Sequence, residues 1–407
     1  RVFRRLDCET KRHGRYTSVR LARDDQPEFA PMPKPSFCLI VLFFVFSSSF
    51  LPANDKVSAD LARVSDDGTI HWFEIQHLGL EGQGWRETKS PFDRLPAKAD
   101  GVVRKPVWNL SRHSAGMSVR FVTNAKAIRA KWTLTSSNLA MPHMPATGVS
   151  GLDLYVNSGG TWRWVANGRP SKQTNEVTLL NEIPPGRHEF CLYLPLYNGV
   201  TSVEIGIPAG ADLARLPRAK GTEQPIVFYG TSITHGCCAS RPGMVHTSIL
   251  GRRLNRPVIN LGFSGNGTMD LEMAELLTEL DAAIYVIDCL PNMVADQVRQ
   301  RVVPLVKKIR SVRPEVPIVL AEDRTYSNAF FIPAKRKRNE QSRNSLRETF
   351  EQLRRTGVKN LFYLKGDGQL GDDGEATVDS SHPTDLGFMR MADAFEPVLR
   401  QALKINH

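Results

Sequence analysis

The residues Pro225-Ile-Val-Phe-Tyr-Gly-Thr-Ser-Ile-Thr-His-Gly236 indicate the fold class of the C-terminal half of this chain. They begin with a continuous apolar run, which is typical of a strand buried on both faces of a sheet. Ser232 follows, in a turn flanked by Gly230 and Gly236. A serine at a tight strand-to-helix turn can expose its hydroxyl as a nucleophile, although serine is also a common helix cap.

Further apolar runs recur after this stretch, and amphipathic helical patterns separate them. Buried strands that alternate with helices predict an α/β domain with a five-stranded parallel sheet and helices on both faces. The runs are 258–262, 282–288, 317–323 and 360–364, and the helical patterns are 244–254, 271–280, 294–312, 339–356 and 386–403.

Chemistry-bearing residues follow several of these strands, at the edge where such sheets bind ligands. The segment 260–267 is rich in glycine, so its backbone N–H groups can approach a ligand closely, as an oxyanion site requires. Its glycine spacing does not fit a dinucleotide loop. The segment 288–292 ends on Asn292. Farther on, Asp379 precedes His382 by three residues, so it can orient an imidazole that takes the proton of Ser232.

The N-terminal half has a different pattern, of short alternating strands separated by turn residues. This pattern predicts an antiparallel β-sandwich, jelly-roll-like, over 54–215, ahead of a catalytic domain over 222–407. Trp162 and Trp164 suit either sugar stacking or packing, and 208–224 reads as a linker. The clearest strand patterns are 117–122, 127–134, 151–156, 161–165 and 202–207.

Residues 1–53 do not read as a folded domain. A basic start, the apolar run 37–46 and the small residues after it describe a secretory signal peptide, with translation starting at Met32 and cleavage near Ala53. The run is short for a membrane span, and an uncleaved anchor is the alternative. The sequence therefore predicts an exported protein with no stable membrane insertion after cleavage.

The net charge of the chain, +11, falls once this segment is set aside. The first 53 residues hold nine Lys or Arg against five Asp or Glu, so the remainder carries +7. The densest basic run, Lys335-Arg-Lys-Arg338, precedes a helical pattern and is interpreted as a solvated helix face. With no zinc spacing and no aromatic RNA-binding box, the sequence predicts no nucleic-acid partner.

Four blocks follow strands of the predicted sheet: 230–236, 260–267, 288–292 and 379–382. In this order they resemble the SGNH/GDSL hydrolase superfamily, whose domain is flavodoxin-like and three-layered. The whole chain is similar to exported bacterial esterases, among them carbohydrate acetylesterases, that carry a β-sandwich before the catalytic domain. The resemblance implies that Ser232 is the nucleophile, that Asp379 and His382 complete a triad, and that Gly265 and Asn292 are oxyanion donors.

This sequence departs from the family pattern in two blocks. In the first block, Thr231 stands at the position of Asp in the Gly-Asp-Ser-Leu motif that the letters GDSL denote. In the third block, Leu290-Pro-Asn292-Met replaces the usual Gly-x-Asn-Asp. Gly262 is an alternative oxyanion glycine. The chemistry that the resemblance implies, acyl transfer through an acyl-enzyme, uses no cofactor and no metal.

Other residues near these blocks have both functional and structural interpretations. His235 can line the pocket, Arg241 and Pro242 can shape its entrance, and His246 fits helix packing or a surface position. The stretch 323–326 can reach the pocket or pack at the surface. Cys191, Cys237, Cys238 and Cys289 read as packing residues or disulfide partners, and the sequence does not decide their pairing.

Three functions are compatible with these observations. The first is an exported serine esterase that removes short acyl groups, with acetyl favoured, from small-molecule or polysaccharide esters. The second is a lysophospholipase, thioesterase or general arylesterase, which the lack of a long apolar lid over 233–245 disfavours. The third is a carbohydrate-binding protein with an idle hydrolase domain, against which the intact Ser232, Asp379 and His382 argue.

Overall fold

The computed structural model describes residues 56–405, and the predicted signal segment lies outside them. The C-terminal half of the described chain contains a five-stranded parallel sheet with the order β13-β12-β14-β15-β16. This is the flavodoxin-like order, in which ligands bind where the chain reverses direction along the sheet, beside the first strand. The strands are β12 (Ile226–Gly230), β13 (Val258–Gly262), β14 (Ile284–Asp288), β15 (Ile318–Ala321) and β16 (Leu361–Leu364).

Helices cover both faces of this sheet. Alternate residues of β12 point to opposite sides, with Val227 and Tyr229 in one apolar core and Ile226 and Phe228 in the other. This arrangement confirms the predicted three-layer α/β domain. The helices are α3 (Ser232–His235), α4 (His246–Arg253), α5 (Leu271–Thr278), α6 (Ala295–Val312), α7 (Pro333–Arg355) and α8 (Asp385–Leu403).

Helix α7 begins six residues before the predicted start at 339. Pro333 occupies its first turn, where the missing N–H costs no hydrogen bond and the fixed φ favours a helix. The basic run Lys335–Arg338 therefore lies inside the helix instead of ahead of it.

The N-terminal half forms two antiparallel sheets, with the orders β1-β2-β10-β5-β8 and β11-β4-β9-β6-β7, and β3 pairs with β4. One apolar core, which includes Trp132 and Phe190, takes side chains from both sheets, so the predicted β-sandwich is confirmed. The strands are β1 (Arg63–Val64), β2 (Ile70–Glu74), β3 (Leu80–Glu81), β4 (Ser118–Thr123), β5 (Ile128–Leu134), β6 (Leu152–Ser158), β7 (Thr161–Gly168), β8 (Thr174–Leu180), β9 (His188–Tyr193), β10 (Val200–Pro208) and β11 (Leu213–Arg215), with helices α1 (Lys105–Ser111) and α2 (Ala146–Val149) between them.

Part of the segment predicted as a linker belongs to a strand of the β-sandwich. Strand β11 lies within 208–224 and pairs with Phe121–Thr123 of β4, so the edge of the sandwich runs into the connection. All described residues fall in one compact unit. Among residues 56–405, no helix has the length and apolar character that a membrane span requires.

A buried ion pair joins the sandwich to the parallel-sheet half. Asp153 on β6 is fully buried and accepts hydrogen bonds from Arg241 Nη1 (2.9 Å), the Gly243 N–H (2.8 Å) and Trp164 Nε1 (2.8 Å). Tyr155 on the same strand also contacts Arg241, at 2.5 Å from its hydroxyl. Arg241 thus links the two halves by hydrogen bonds. Its sequence position, shortly after the turn at Ser232 (the nucleophile turn), did not indicate this role.

Candidate active site

The nucleophile turn connects β12 to the four-residue helix α3. The Thr231 hydroxyl caps the helix by accepting from the Ile233 N–H, and Gly236 ends it in the left-handed region at a φ of 117°. The Ser232 carbonyl accepts from the Cys237 N–H at 2.9 Å and from the Tyr197 hydroxyl at 3.1 Å. These bonds hold Ser232, which is only 6% exposed, at the carboxyl end of the central strand.

Two glycines let the neighbouring backbone approach this turn. A Cβ on Gly262 would lie 2.1 Å from the backbone nitrogen of His235, and one on Gly267 would lie 2.0 Å from the carbonyl oxygen of Gly230. Only a residue without a side chain fits at either position. The glycine-rich block after β13 therefore packs directly against the block that carries Ser232.

A hydrogen-bonded chain connects the three residues predicted as a triad. The Ser232 Oγ lies 2.9 Å from His382 Nε2, and His382 Nδ1 lies 2.7 Å from Asp379 Oδ2. Asp379 also accepts from the backbone N–H groups of Ser381 (3.0 Å) and His382 (2.8 Å). The structure thus brings together residues that are 150 positions apart in the chain.

These hydrogen bonds keep Asp379 ionised. Partial burial alone would raise the pKa of this carboxyl, but the backbone and ring N–H groups of His382, with that of Ser381, lower its pKa to about 2. A charged carboxylate at Nδ1 requires the proton there, so Nε2 has a free lone pair toward the Ser232 hydroxyl. The arrangement can deprotonate a serine.

The two candidate oxyanion glycines, Gly262 and Gly265, differ in their surroundings. The Gly262 N–H donates to the side chain of Asn260 at 2.9 Å, and Gly262 itself is buried. Gly265 is exposed, with a φ of 68°, and a Cβ there would meet nothing within 4 Å. The backbone around Gly265 is therefore open to a ligand, which favours it, and the assignment stays a prediction.

Asn292 follows β14 and contacts the same glycine-rich block. Its Oδ1 accepts from the Gly267 N–H at 3.2 Å. That bond uses the oxygen of the amide, so the Nδ2 group is the part that can donate to a substrate. Arg338 on α7 supports this segment by donating to the Pro291 carbonyl at 2.9 Å and the Met293 carbonyl at 3.2 Å.

Charged side chains hold the loop that carries Asp379 and His382. Arg324, which is 1% exposed, donates to the carbonyl of Ser381 at 3.2 Å and to its Oγ at 2.5 Å. Lys335 donates to the Ser380 hydroxyl at 2.5 Å. Asp323 and Arg324 of the stretch 323–326 are therefore buried supports, whereas Thr325 is exposed and Tyr326 is half-buried. The solvated-face interpretation of the basic run was wrong for Lys335 and Arg338, because both face this support.

Beneath the nucleophile turn lies a buried aromatic cluster. The ring of His235 stacks on Tyr197 at 4.1 Å, and His113 Nδ1 lies 3.3 Å from His235 Nε2. Burial, with the nearby Arg94 guanidinium, lowers the pKa of His113 to about 3 and holds the pKa of His235 well below its ordinary value. His235 is fully buried, so it supports the turn.

Arg94 from the N-terminal half is a supporting residue that no sequence signal indicated. It is 1% exposed and donates to the carbonyls of Asn260 (3.0 Å), Gly262 (2.8 Å) and Leu110 (2.6 Å). Burial lowers its pKa to about 9, so it remains a cation near neutral pH. It fixes the carboxyl end of β13 beside the candidate oxyanion block.

The remaining predicted residues have structural surroundings. His246 is buried and stacks on Phe388 at 5.7 Å, as the helix-packing interpretation predicts. Trp162 packs beside the Arg120 guanidinium, at 5.6 Å from the ring centroid. Pro242 is buried in a short helical turn. Cys191, Cys237, Cys238 and Cys289 are free and buried.

Two family models match the chain, one for each half. The GDSL-like Lipase/Acylhydrolase family matches residues 223–400. The family described as GxDLY, the N-terminus of SGNH-hydrolase-type esterases, matches residues 70–213. The letters Gly-x-Asp-Leu-Tyr occur at 151–155, where Asp153 and Tyr155 hold Arg241 of the other half. The chain has no match among curated protein sequences.

Solved structures resemble the chain over both halves. A protein from Bacteroides ovatus described as a GDSL-like lipase is 35% identical, with a TM-score of 0.78, over 83% of this chain and 99% of that one. A salicylyl-acyltransferase from a tetracycline biosynthetic pathway is 19% identical, with a TM-score of 0.65, over 86% and 99%. A family two carbohydrate esterase from Cellvibrio japonicus is 14% identical, with a TM-score of 0.55, over 82% and 98%. The last two share the fold.

Proposed function

The chain belongs to the GDSL-like lipase/acylhydrolase family and is a carboxylic ester hydrolase, and from that premise we propose that it is an exported serine esterase that removes short acyl groups, acetyl above all, from carbohydrate. Ser232, His382 and Asp379 act as its triad. The observation that carries this proposal is the hydrogen-bonded chain from Ser232 Oγ through His382 to Asp379.

In the first half of the reaction, His382 Nε2 takes the Ser232 proton as Oγ attacks the ester carbonyl. Negative charge develops on the carbonyl oxygen. The backbone N–H groups of Ser232 and Gly265 and the Nδ2 group of Asn292 donate to it. Asp379 stabilises the imidazolium that forms.

In the second half, the imidazolium gives its proton to the leaving alcohol, and the acyl group stays on Ser232. Water then enters, His382 takes one of its protons, and the resulting hydroxide attacks the acyl-enzyme. The acid leaves and Ser232 recovers its proton. Each half transfers one proton to His382 and returns it, so the triad ends as it began.

The surroundings of the nucleophile support a short acyl group. Ser232 is 6% exposed, and Cys237, Cys238 and Ala239, which follow its turn, are all buried. His143 from the N-terminal half lies beside His382, with ring centroids 5.9 Å apart. We take this crowding beside Ser232 as support for a small acyl group. Support for a carbohydrate alcohol is the two-part fold shared with the carbohydrate esterase from Cellvibrio japonicus.

The test compares Ser232→Ala with Ser248→Ala, a matched change at another buried serine, on α4. Removing the nucleophile should lower ester hydrolysis by about 10⁶-fold, while the control should keep the rate of the wild type. Undiminished hydrolysis by the Ser232 variant would exclude the triad.

A substrate panel tests the acyl group and the alcohol. Acetate release from acetylated polysaccharides is measured beside cleavage of p-nitrophenyl acetate and p-nitrophenyl palmitate. We expect the two acetyl substrates to be cleaved and the palmitate to be poor. Preference for the palmitate would indicate a lipase or lysophospholipase instead, and hydrolysis of the aryl acetate alone would indicate a general arylesterase.

The proposed export is supported by the apolar run 37–46 and the small residues that follow it. Expression with residues 32–407 in a bacterial host should give a periplasmic or extracellular product whose N-terminus, by sequencing, falls near residue 54. An intact leader on a membrane-bound product would contradict this.

A further inference from the structure

Three metal-binding side chains meet beside the proposed triad, and they come from distant parts of the chain. His143 lies just before α2 in the N-terminal half, Cys237 follows the nucleophile helix, and His382 is the proposed base. One donor atom of each lies within 4.8 Å of the other two.

The separation of two of the donors suits a single tetrahedral ion. Cys237 Sγ lies 3.3 Å from His143 Nε2. Two ligands of one zinc ion, at about 2.3 Å for sulfur and about 2.0 Å for nitrogen, are about 3.5 Å apart. The donor atom of His382 lies within 4.8 Å of the other two, so a movement of its side chain toward them would complete the set.

The chemistry of the donors selects the class of metal. One thiolate and two imidazoles are a borderline-soft set, which favours Zn²⁺ over Mg²⁺ or Ca²⁺. His382 Nδ1 is held by Asp379 at 2.7 Å, so Nε2 is the nitrogen that remains for a metal. A carboxylate behind a histidine is also the support that zinc-binding histidines ordinarily have.

We propose that His143, Cys237 and His382 form a site for Zn²⁺, and that zinc bound there inhibits the esterase. The inhibitory part rests on the proposed function, and the binding part does not. On binding, Cys237 releases its thiol proton to solvent, and the lone pair of His382 Nε2 bonds to the metal. Ser232, whose Oγ lies 2.9 Å from that nitrogen, then has no base.

Binding is tested with Co²⁺ as a spectroscopic probe on the full chain, kept reduced by a phosphine. A bound thiolate gives a charge-transfer band in the near ultraviolet, and Zn²⁺ should abolish it by displacement. We expect Cys237→Ser to remove the band and His143→Ala to weaken Co²⁺ affinity about tenfold or more. Cys238→Ser, a change at the neighbouring thiol, should keep the band. Loss of the band in the Cys238 variant but not in the His143 variant would overturn the site.

Inhibition is tested by ester hydrolysis with and without micromolar Zn²⁺, with each variant compared to its own metal-free rate. We expect zinc to lower the wild-type rate at least about tenfold and a chelator to restore it. The zinc concentration for half inhibition should rise at least about tenfold for His143→Ala and stay unchanged for Cys238→Ser. Equal zinc sensitivity in all variants, or activation by zinc, would overturn the inhibitory role.

The two experiments separate failure of this site from failure of the proposed function. If the purified chain hydrolyses no ester, the cobalt band still decides whether the three residues bind a metal. If ester hydrolysis depends on Ser232 but no cobalt band forms, the esterase stands and the zinc site is wrong.

Discussion

The two halves of the candidate active site are held in place by different forces. The nucleophile half consists of the turn at Ser232 and the glycine block 262–267. Close packing of backbone holds it, together with hydrogen bonds from Tyr197 and the buried Arg94. The base half is the loop 379–382, where the Asp379 side chain is 45% exposed and the His382 side chain 23%. Arg324 and Lys335 hold that loop by hydrogen bonds. Added volume should therefore be costly mainly in the first half, whereas both halves should respond to changes in hydrogen bonding.

One aspartate in each half shows the same contrast. Burial raises the pKa of Asp288, behind the nucleophile turn, to about 7, although the Thr234 hydroxyl and Arg324 oppose the shift. Asp379 has its pKa lowered to about 2 by hydrogen bonds that outweigh its partial burial. Burial thus disfavours the charged form of Asp288, while hydrogen bonds favour the charged form of Asp379.

The largest effect is expected from Asp379→Asn. The amide keeps the size of the side chain but favours the wrong tautomer of His382, so kcat should fall by about 10³–10⁴-fold. Steady-state kinetics on a short-chain ester would measure this. Asp373→Asn is the matched control, because hydrogen bonds, above all from Arg390, lower the pKa of this carboxyl to about 2 as well, outside the proposed triad. A loss of less than about tenfold would mean that the base half does not depend on this charge.

The packing of the nucleophile half is tested by a pair of glycine variants. Gly267→Ala places a Cβ 2.0 Å from a backbone oxygen, and we expect the free energy of unfolding to fall by about 3 kcal/mol. Gly265→Ala meets no atom within 4 Å and should cost only about 1 kcal/mol, for its positive φ. Urea denaturation of both proteins measures the difference. Equal costs would show that close approach is not what positions this half.

The sequence predicts the parts of this site whose residues are close together in the chain or directly follow a strand. Continuous apolar runs predict buried parallel strands, since few other short segments bury both faces. Asp379 and His382 are three residues apart, and Ser232 stands directly after a strand. Once the strands are placed in one parallel sheet, their carboxyl ends must meet, so the joint position of the four blocks follows from the fold.

The supports were not predictable, because they depend on long-range contacts of residues that are ordinarily at the surface. Arg94 reaches carbonyls more than 160 positions away, and Arg338 belongs to a basic run that resembles any solvated helix. Arginine is almost never fully buried without partners, and its partners here are mostly backbone carbonyls, which have no sequence signature. His143 lies in a loop of the other half, where nothing local connects it to His382.

The two aspartates should affect the pH dependence of stability with opposite signs. The folded pKa of Asp288, about 7, is above its ordinary value of 3.8, so the native state holds a proton that the unfolded state has lost. Its contribution to stability is present below about pH 4 and is lost as pH rises to about 7. Asp379 has the opposite sign, and its contribution is lost only as pH falls from about 4 toward about 2.

Asp288→Asn should therefore remove a downward slope of stability between pH 4 and pH 7. One pKa unit corresponds to about 1.4 kcal/mol, so the variant should gain up to about 4 kcal/mol on the wild type across this range. Chemical denaturation at several pH values from 4 to 7 measures the difference. A difference that does not change with pH would mean that Asp288 is already ionised in the folded protein.

The smallest effect is expected from Arg324→Lys, which tests how the base half is held. Lysine keeps the charge but cannot reach Ser381 with two nitrogens at once, as the guanidinium does from Nε and Nη2. His382 should then spend less time within reach of the Ser232 hydroxyl, so kcat should fall about tenfold while KM changes little. Arg354→Lys, on the exposed face of α7, should leave both constants unchanged. Because Arg324 acts through the loop and not on the substrate, a rise in KM at constant kcat would place it in substrate binding and contradict the positioning role.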